Sequence, residues 1–470
     1  MKIGIWQLAN IFYFVYKWVY EVRILQRKIE GRLFSEEETL DSKGMQQVKA
    51  IQINENKKLC FRCGNNQETL FFKSPCSHCG SEECWYCRNC IIMGKMTACA
   101  NLFFLPSVMS TSHQRDTYLA WKGELSPGQR VASDKVHQAV KDRENLLLWA
   151  VAGSGKTEMM FEGMNEVLVN GGRLCVASPR VDVCLELFPR LQEVFPDVDM
   201  VCLYGDSTDV YNGERFVVAT THQLVRFYEA FDVVFIDEVD AFPYAKDPFL
   251  EYAVKKAQLR TGCSIFITAT PDRKWQKECG NGKRNFVKVP ARYHRKSLPV
   301  PQKIWVGNWK KELQKQKIPS KIHQWMRQKL SEDCPVLLFF PEIKVMLEVA
   351  SILEHLNFEP LLTVHSADPE RKEKVQQMRD GTIRLLLTTT ILERGVTFTN
   401  VQVGVFGSEG RIFTESALVQ ISGRAGRKFD YPSGDVLFFH NGVSKNMALA
   451  ISQIKMMNQL GKRQGLLDEN

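Results

Sequence analysis

The sequence holds no run that approaches the roughly 20 consecutive apolar residues needed to cross a bilayer, so a membrane-spanning helix is not expected. It also lacks the layout of a secretion signal. The aromatic stretch Ile3 to Leu25 is broken by Gln7, Asn10 and Lys17, and no small-residue cleavage site precedes the charged run Glu21 to Glu38. That stretch is expected to be a helix packed on the protein or a leader without assigned function; an interfacial membrane helix is the alternative. Strong charge of one sign is missing too. Lys and Arg number 62 against 53 Asp and Glu, and the surplus of +9 points only mildly to a polyanionic partner. Together these absences leave a cytoplasmic globular protein, and 470 residues exceed what one core normally serves.

Fourteen cysteines are present, and eight of them (Cys60, Cys63, Cys76, Cys79, Cys84, Cys87, Cys90 and Cys99) fall in one short segment. Without a secretion signal, clustered CxxC pairs indicate metal rather than disulfides. The tight turn of such a pair points both sulfurs the same way, and Gly64 and Gly80 relax two of these turns. Two pairs complete a tetrahedral site. Cys76 and Cys79 form a third good pair around His78, and Cys84 and Cys99 could complete a second tetrahedron. Eight sulfurs match two zinc sites in number, but spacing leaves the sharing of ligands open. Lys57, Lys58, Arg62, Arg88 and Lys95 nearby would tolerate nucleic acid, while a structural staple or a docking site for a protein is equally consistent.

From Leu146 onward, short apolar runs alternate with helical stretches: LLLWA, RLCVASP, FVVATT, DVVFIDE and SIFITAT. Runs apolar on both faces are expected of strands in a parallel sheet covered by helices. A second series follows the basic, proline-containing stretch Asp272 to Pro319 and reads VLLFF, LLTVHS, RLLLTTT, VQVGVF and DVLFF. The expected fold is therefore α/β, with two tandem parallel-sheet lobes behind an N-terminal cysteine-rich zinc module. The expected boundaries are an N-terminal helical region over 1–55, the cysteine module over 56–115, a first lobe over 116–285, a basic linker over 286–318 and a C-terminal lobe over 319–470. Between the two series, Arg273, Lys274, Lys277, Lys283, Arg284, Lys288, Arg292, Arg295 and Lys296 accumulate with Trp275, Tyr293, Trp305 and Trp309 among them, a mixture suited to single strands or to a plain solvated surface.

The strand LLLWA runs into Ala152, Gly153, Ser154, Gly155, Lys156, Thr157 and Glu158 and then into a helix expected from Thr157. Glycines there let backbone N–H groups converge on phosphate oxygens, and a helix N-terminus adds partial positive charge. Lys156 would meet the β- and γ-phosphates of ATP, and the Thr157 hydroxyl would hold Mg²⁺. Ala150 stands where the usual pattern has its first glycine. The strand VVFI ends in Asp237 and Glu238, which would hold Mg²⁺ through water and deprotonate the attacking water respectively.

The ordered strings AGSGKTE, SPR, ATTHQL, DEVD, TAT, LLTTTILERGVTF and QISGRAGR form a ladder that resembles superfamily two helicases from about Leu125 to the C-terminus. Their wording, with ASPRVDVCLELFPRL and DEVDAFPY behind a cysteine module, is similar to the ComFA late-competence ATPases of DNA uptake, and more distantly to PriA-type restart helicases. The resemblance implies that Gln129, after Leu125-Ser126-Pro127, senses adenine and that Arg424 and Arg427 reach the γ-phosphate from the second lobe. It implies that Cys60, Cys63, Cys87 and Cys90 hold Zn²⁺. It implies a grip on strand phosphates by Pro179, Arg180, Thr221, His222, Thr389, Thr390 and Arg394, with Thr268 and Thr270 coupling nucleotide state to that grip. The implied function is an ATP-dependent translocase on single-stranded DNA in natural competence, working with other competence proteins of the uptake machinery, with peripheral attachment at the inner membrane face as an option. A DNA or RNA helicase of PriA-like type, and a zinc-ribbon adaptor with a switching ATPase, are the alternatives.

Overall fold

The computed structural model describes residues 28–38, 42–55, 57–107, 115–358 and 360–468. The aromatic stretch Ile3 to Leu25 lies outside the described residues. The described residues up to 123, with 134–147 and 160–267, gather into one compact unit; 124–133, 148–159 and those from 268 onward gather into a second.

A seven-stranded sheet has the order Met200–Leu203, Phe216–Thr220, Leu174–Ser178, Phe231–Asp237, Gln258–Thr268, Leu146–Ala150, Phe286–Val289. Its first five strands pair in parallel. Every residue of Leu174–Ser178, Phe216–Thr220 and Phe231–Asp237 is buried, which is possible only where both faces of a sheet are covered. A six-stranded sheet, parallel throughout, has the order Gln302–Trp305, Val436–His440, Gln402–Phe406, Val336–Phe339, Leu385–Thr388, Leu361–Val364. Side chains alternate across it. Leu337, Phe339, Leu386, Val403 and Val405 enter one core, and Val336, Leu338, Leu385, Leu387 and Phe406 enter the other. These are two RecA-like α/β sheets.

The stretch expected as a basic linker contributes one strand to each of them. Phe286–Val289 closes one edge of the first sheet and Gln302–Trp305 forms an edge of the second. Trp309 is buried, Trp305 is exposed, and Arg292 is only 1% exposed. The helix after the phosphate loop also differs from expectation. A turn and a 3₁₀ segment, Glu158–Met160, precede the α-helix Phe161–Val169, so regular helix starts four residues after Thr157. A tightened first turn of this kind is common at helix N-termini.

The N-terminal module is built of short antiparallel strands. Asn101–Phe104 lies between Leu33–Ser35 and Gln46–Lys49; Ile51–Asn54 pairs with Lys57–Cys60; Cys84–Cys87 lies between Phe71–Ser74 and Met96–Thr97. Its cysteine-rich end sits on the helix Pro248–Ala257. There the Tyr252 hydroxyl donates to Phe61 O at 2.9 Å, and the buried Lys256 ammonium donates to Arg62 O and Val225 O, each at 2.8 Å. A Cβ on Gly64 would stand 2.4 Å from the Tyr252 ring, so only glycine permits this close approach.

Candidate nucleotide and metal sites

In the second unit, Gly153 and Gly155 both take left-handed φ, 80° and 73°, which turns the loop after Leu146–Ala150 back on itself. The buried Ser154 hydroxyl meets no hydrogen-bond partner among the described residues. Lys156 is half-buried and Thr157 buried. Gln129, on the helix Pro127–Lys141, accepts from Ser126 N–H at 2.8 Å and donates to Ser154 O at 2.9 Å. The glutamine is thus a brace for the phosphate loop as well as a candidate base sensor.

The same unit brings the GRAGR segment against this loop. A Cβ on Gly423 would lie 2.6 Å from the Ala152 Cβ. Arg424 is buried, donating to Glu393 O at 2.9 Å and to Val396 O; Arg427 donates to Gly423 O at 2.8 Å and to Thr397 Oγ1 at 3.3 Å. Both guanidiniums are therefore held by backbone and hydroxyl groups around them.

Arg292 was not singled out for this site by its sequence. Its guanidinium donates to Ala425 O at 2.8 Å, to Gly426 O, and more weakly to Gly423 O at 3.4 Å. A Cβ on Gly153 would stand 3.6 Å from its Nε, so the side chain also touches the phosphate loop. Burial, with the Arg427 charge nearby, pushes its pKa down to about 9. The only local signal was one arginine in a basic stretch, and its acceptors lie more than 130 residues away.

In the first unit, Asp237 and Glu238 end their strand buried, and the Asp237 carboxylate accepts from Glu238 N–H at 2.8 Å. Glu238 has φ 56°, a left-handed conformation that costs a non-glycine residue about 1–3 kcal/mol and is characteristic of functional turns. The chain folds sharply there, with Ala241 N–H returning to Glu238 O at 2.8 Å.

The candidate strand-gripping residues sit at strand ends or helix starts. Arg180 is the N-cap residue of Val181–Val194 and reaches Asp182 at 2.9 Å; Pro179 is buried. Thr221 N–H donates to Ser178 O at 2.9 Å, tying two of the predicted motifs together. Burial lowers the pKa of His222, partly offset by Asp247, so the imidazole stays neutral at neutral pH. Thr389 and Thr390 are half-buried at the start of the 3₁₀ turn Thr390–Leu392. Arg394 is almost fully buried, bound to Glu393 at 3.4 Å and to Ser416 Oγ at 3.2 Å. Ser416 Oγ is 2.8 Å from Thr270 Oγ1, and Thr270 N–H donates to Thr268 Oγ1 at 2.9 Å. A hydrogen-bonded line thus runs from TAT through Ser416 to Arg394, and Ser416 was missed because nothing in its neighbourhood marks it.

The four Sγ atoms of Cys60, Cys63, Cys87 and Cys90 lie within 4.8 Å of one another, all buried. Cys60–Cys90 and Cys63–Cys87 are 3.7 and 3.6 Å apart. A zinc–sulfur bond of about 2.3 Å implies tetrahedron edges of about 3.8 Å, so the donor set fits that ion. Asn65 Nδ2–H points at Cys87 Sγ from 3.6 Å, the kind of donor that steadies a thiolate.

Comparison with known proteins agrees with this architecture. Residues 122–273 match the family described as type III restriction enzyme, res subunit, and 317–429 the helicase conserved C-terminal domain. The DEAD-box helicase Mss116 bound to ssRNA aligns with a TM-score of 0.52 at 17% identity, over 67% of this chain and 69% of its own, a likeness of fold. The chain is a helicase-type, nucleic-acid-dependent ATPase of superfamily two. Residues 15–104 match the competence protein ComFA N-terminal domain. Competence protein ComFA of Bacillus subtilis (strain 168) is 43% identical over 414 residues, 88% of each chain. Its counterpart in Streptococcus pneumoniae (strain ATCC BAA-255 / R6) is 38% identical over 91% of this chain and 97% of its own. The chain belongs to the ComFA family of competence proteins.

Proposed function

We propose that this competence-associated ATPase is a motor that moves along single-stranded DNA and draws transforming DNA into the cell, docked to the uptake machinery at the cytoplasmic face of the membrane. Lys156 neutralises the β- and γ-phosphates, Thr157 and Asp237 hold Mg²⁺, Glu238 takes a proton from the attacking water, and Arg424 and Arg427 offset the charge that develops on the γ-phosphate. The observation that carries the reading is the approach of Gly423 to Ala152, which sets the arginine-bearing segment against the phosphate loop. Arginines delivered by such a segment make hydrolysis depend on its position, and so let turnover drive movement.

Arg180, His222, Thr389 and Thr390 contact strand phosphates from helix starts and strand ends, with Pro179 and Thr221 shaping those turns and Arg394 fixing the segment around Ser416. A grip of backbone amides, hydroxyls and arginines is independent of base sequence. Cys60, Cys63, Cys87 and Cys90 hold a zinc ion that braces the module against Pro248–Ala257; Zn²⁺ supplies structure there, not chemistry. The lobes proposed are those read from the sequence, 116–285 and 319–470, extended by Phe286–Val289 in the first sheet and Gln302–Trp305 in the second, and the strands Leu33–Ser35, Gln46–Lys49 and Ile51–Asn54 join the cysteine module in place of the helical region expected over 1–55.

The test is ATP hydrolysis with matched DNA and RNA oligonucleotides, together with displacement of a protein block from single-stranded DNA. Stimulation and displacement on DNA are expected. Equal or greater stimulation by RNA, or turnover with no displacement, would overturn the proposal.

A further inference from the structure

The turn at Cys76 repeats the turn at Cys60 bond for bond. In the first, Cys60 N–H donates to Asn65 O at 2.9 Å and Gly64 N–H to Cys60 O at 2.7 Å; in the second, Cys76 N–H donates to Ser81 O and Gly80 N–H to Cys76 O, both at 2.9 Å. Gly64 and Gly80 have matching left-handed φ of 71° and 70°. Tertiary packing explains the first glycine, which lies under Tyr252. It does not explain the second, because a Cβ on Gly80 would meet nothing within 4 Å. What the two turns share is the aim of both sulfurs.

The second pair faces two further cysteines. The Sγ atoms of Cys76, Cys79, Cys84 and Cys99 lie within 4.8 Å of one another, and Cys76–Cys99 are 3.6 Å apart. That separation fits the edge of about 3.8 Å of a zinc–thiolate tetrahedron and far exceeds a disulfide bond of about 2.0 Å. All four are free thiols. His78, between the first two, is paired with Glu36 at 2.8 Å, so the donor set consists of sulfur alone.

One strand serves both clusters. Cys84 and Cys87 are the two ends of Cys84–Cys87, and at a separation of three residues their side chains leave opposite faces of the hairpin. Cys87 joins the buried set and Cys84 the outer set. The settings differ in exposure: the inner four are all buried, while Cys79 is exposed and Cys76 and Cys99 are partly so.

We propose that Cys76, Cys79, Cys84 and Cys99 form a second zinc site, more open to solvent and faster to exchange than the inner one. The outer ion pins the tip of the module, where Phe71–Ser74, Cys84–Cys87 and Met96–Thr97 meet. The proposal is independent of the motor reading and takes the inner site as its internal standard.

Zinc in the full-length protein, purified under reductant, is counted by elemental analysis, and its release to a chromogenic chelator is followed in time. Two ions per chain are expected, leaving in a fast and a slow phase of equal size. The Cys76→Ser/Cys79→Ser variant should keep one ion and lose the fast phase. Differential alkylation of the unaltered protein after the fast phase should label Cys76, Cys79, Cys84 and Cys99 together and spare Cys60, Cys63, Cys87 and Cys90, which needs no variant to fold. One ion per chain, unchanged by the double substitution, overturns the outer site and leaves the inner one standing. No zinc at all overturns both, and a Cys76–Cys99 disulfide in the reduced preparation overturns the outer site alone.

Discussion

Replacing Arg292 with Met should leave the fold nearly as stable as before and yet slow ATP hydrolysis. Two opposing contributions set the stability. The guanidinium makes two good hydrogen bonds to backbone carbonyls, Ala425 O at 2.8 Å and Gly426 O, and bonds from a charged donor are each worth about 1.5–3 kcal/mol, or about 3–6 kcal/mol together. Against this, burial pushes the pKa of the side chain from 12.5 down to about 9, a penalty on the order of 5 kcal/mol for keeping the charge. The apolar side chains beside it, Val151, Ala152, Ala269, Leu298 and Val419 among others, offer no counter-charge. A methionine removes both contributions, and the net change in unfolding free energy should stay within about 2 kcal/mol. The effect on turnover has no such cancellation. Residues 423–427 lose the clamp that holds them to the phosphate loop, and DNA-stimulated kcat should fall at least ~10-fold, the rate equivalent of about 1.4 kcal/mol. Urea unfolding and steady-state ATPase assays on the same preparations read the two effects separately. A variant that is destabilised by well over 4 kcal/mol, or one that folds normally and hydrolyses ATP at the original rate, would refute this reasoning.

Other substitutions probe other links. Ser416→Ala removes two hydrogen bonds, to Thr270 and Arg394, each worth about 1 kcal/mol; stimulation by single-stranded DNA should drop ~10-fold while basal hydrolysis persists, and equal loss of both would show that Ser416 serves only stability. Glu238→Gln should cut kcat by ~10²–10⁴ with ATP binding retained, as expected for loss of a general base, measured by single-turnover hydrolysis beside nucleotide binding. Lys256→Met leaves Arg62 O and Val225 O without their donor, and amide exchange over 57–100 should quicken while exchange in the strand Phe216–Thr220 does not.

Local patterns carried the parts of this molecule that local physics determines. Strands such as Leu174–Ser178 and Gln402–Phe406 are apolar on both faces, and a parallel sheet is the only common setting for that pattern. The phosphate loop declared itself because its glycines, lysine and threonine must be contiguous to act. The cysteines announced metal by their spacing, which left the sharing of ligands open; the resemblance separated Cys87 from Cys84, and the structure brings the sulfurs together in those same two sets. What stayed hidden depends on distant partners. Arg292 read as one cation in a stretch suited either to single strands or to a solvated surface, and its burial is decided by the carbonyls of Gly423, Ala425 and Gly426. Arg394 is expected from the resemblance to grip strand phosphates, and its side chain is enclosed because Ser416 and Glu393 close around it. The start of the helix at Phe161 was misplaced because the first turn after Thr157 tightens to 3₁₀, which glycine and lysine content does not foretell.

The central claim is that phosphate binding at Lys156 powers an ATPase governed by single-stranded DNA. The most direct measurement is steady-state ATP hydrolysis by the full chain with and without single-stranded DNA, run beside Lys156→Ala. Strong stimulation of the unaltered protein, and no turnover in the variant although it still binds the strand, is the predicted result. Hydrolysis indifferent to DNA, or surviving the loss of Lys156, would contradict it.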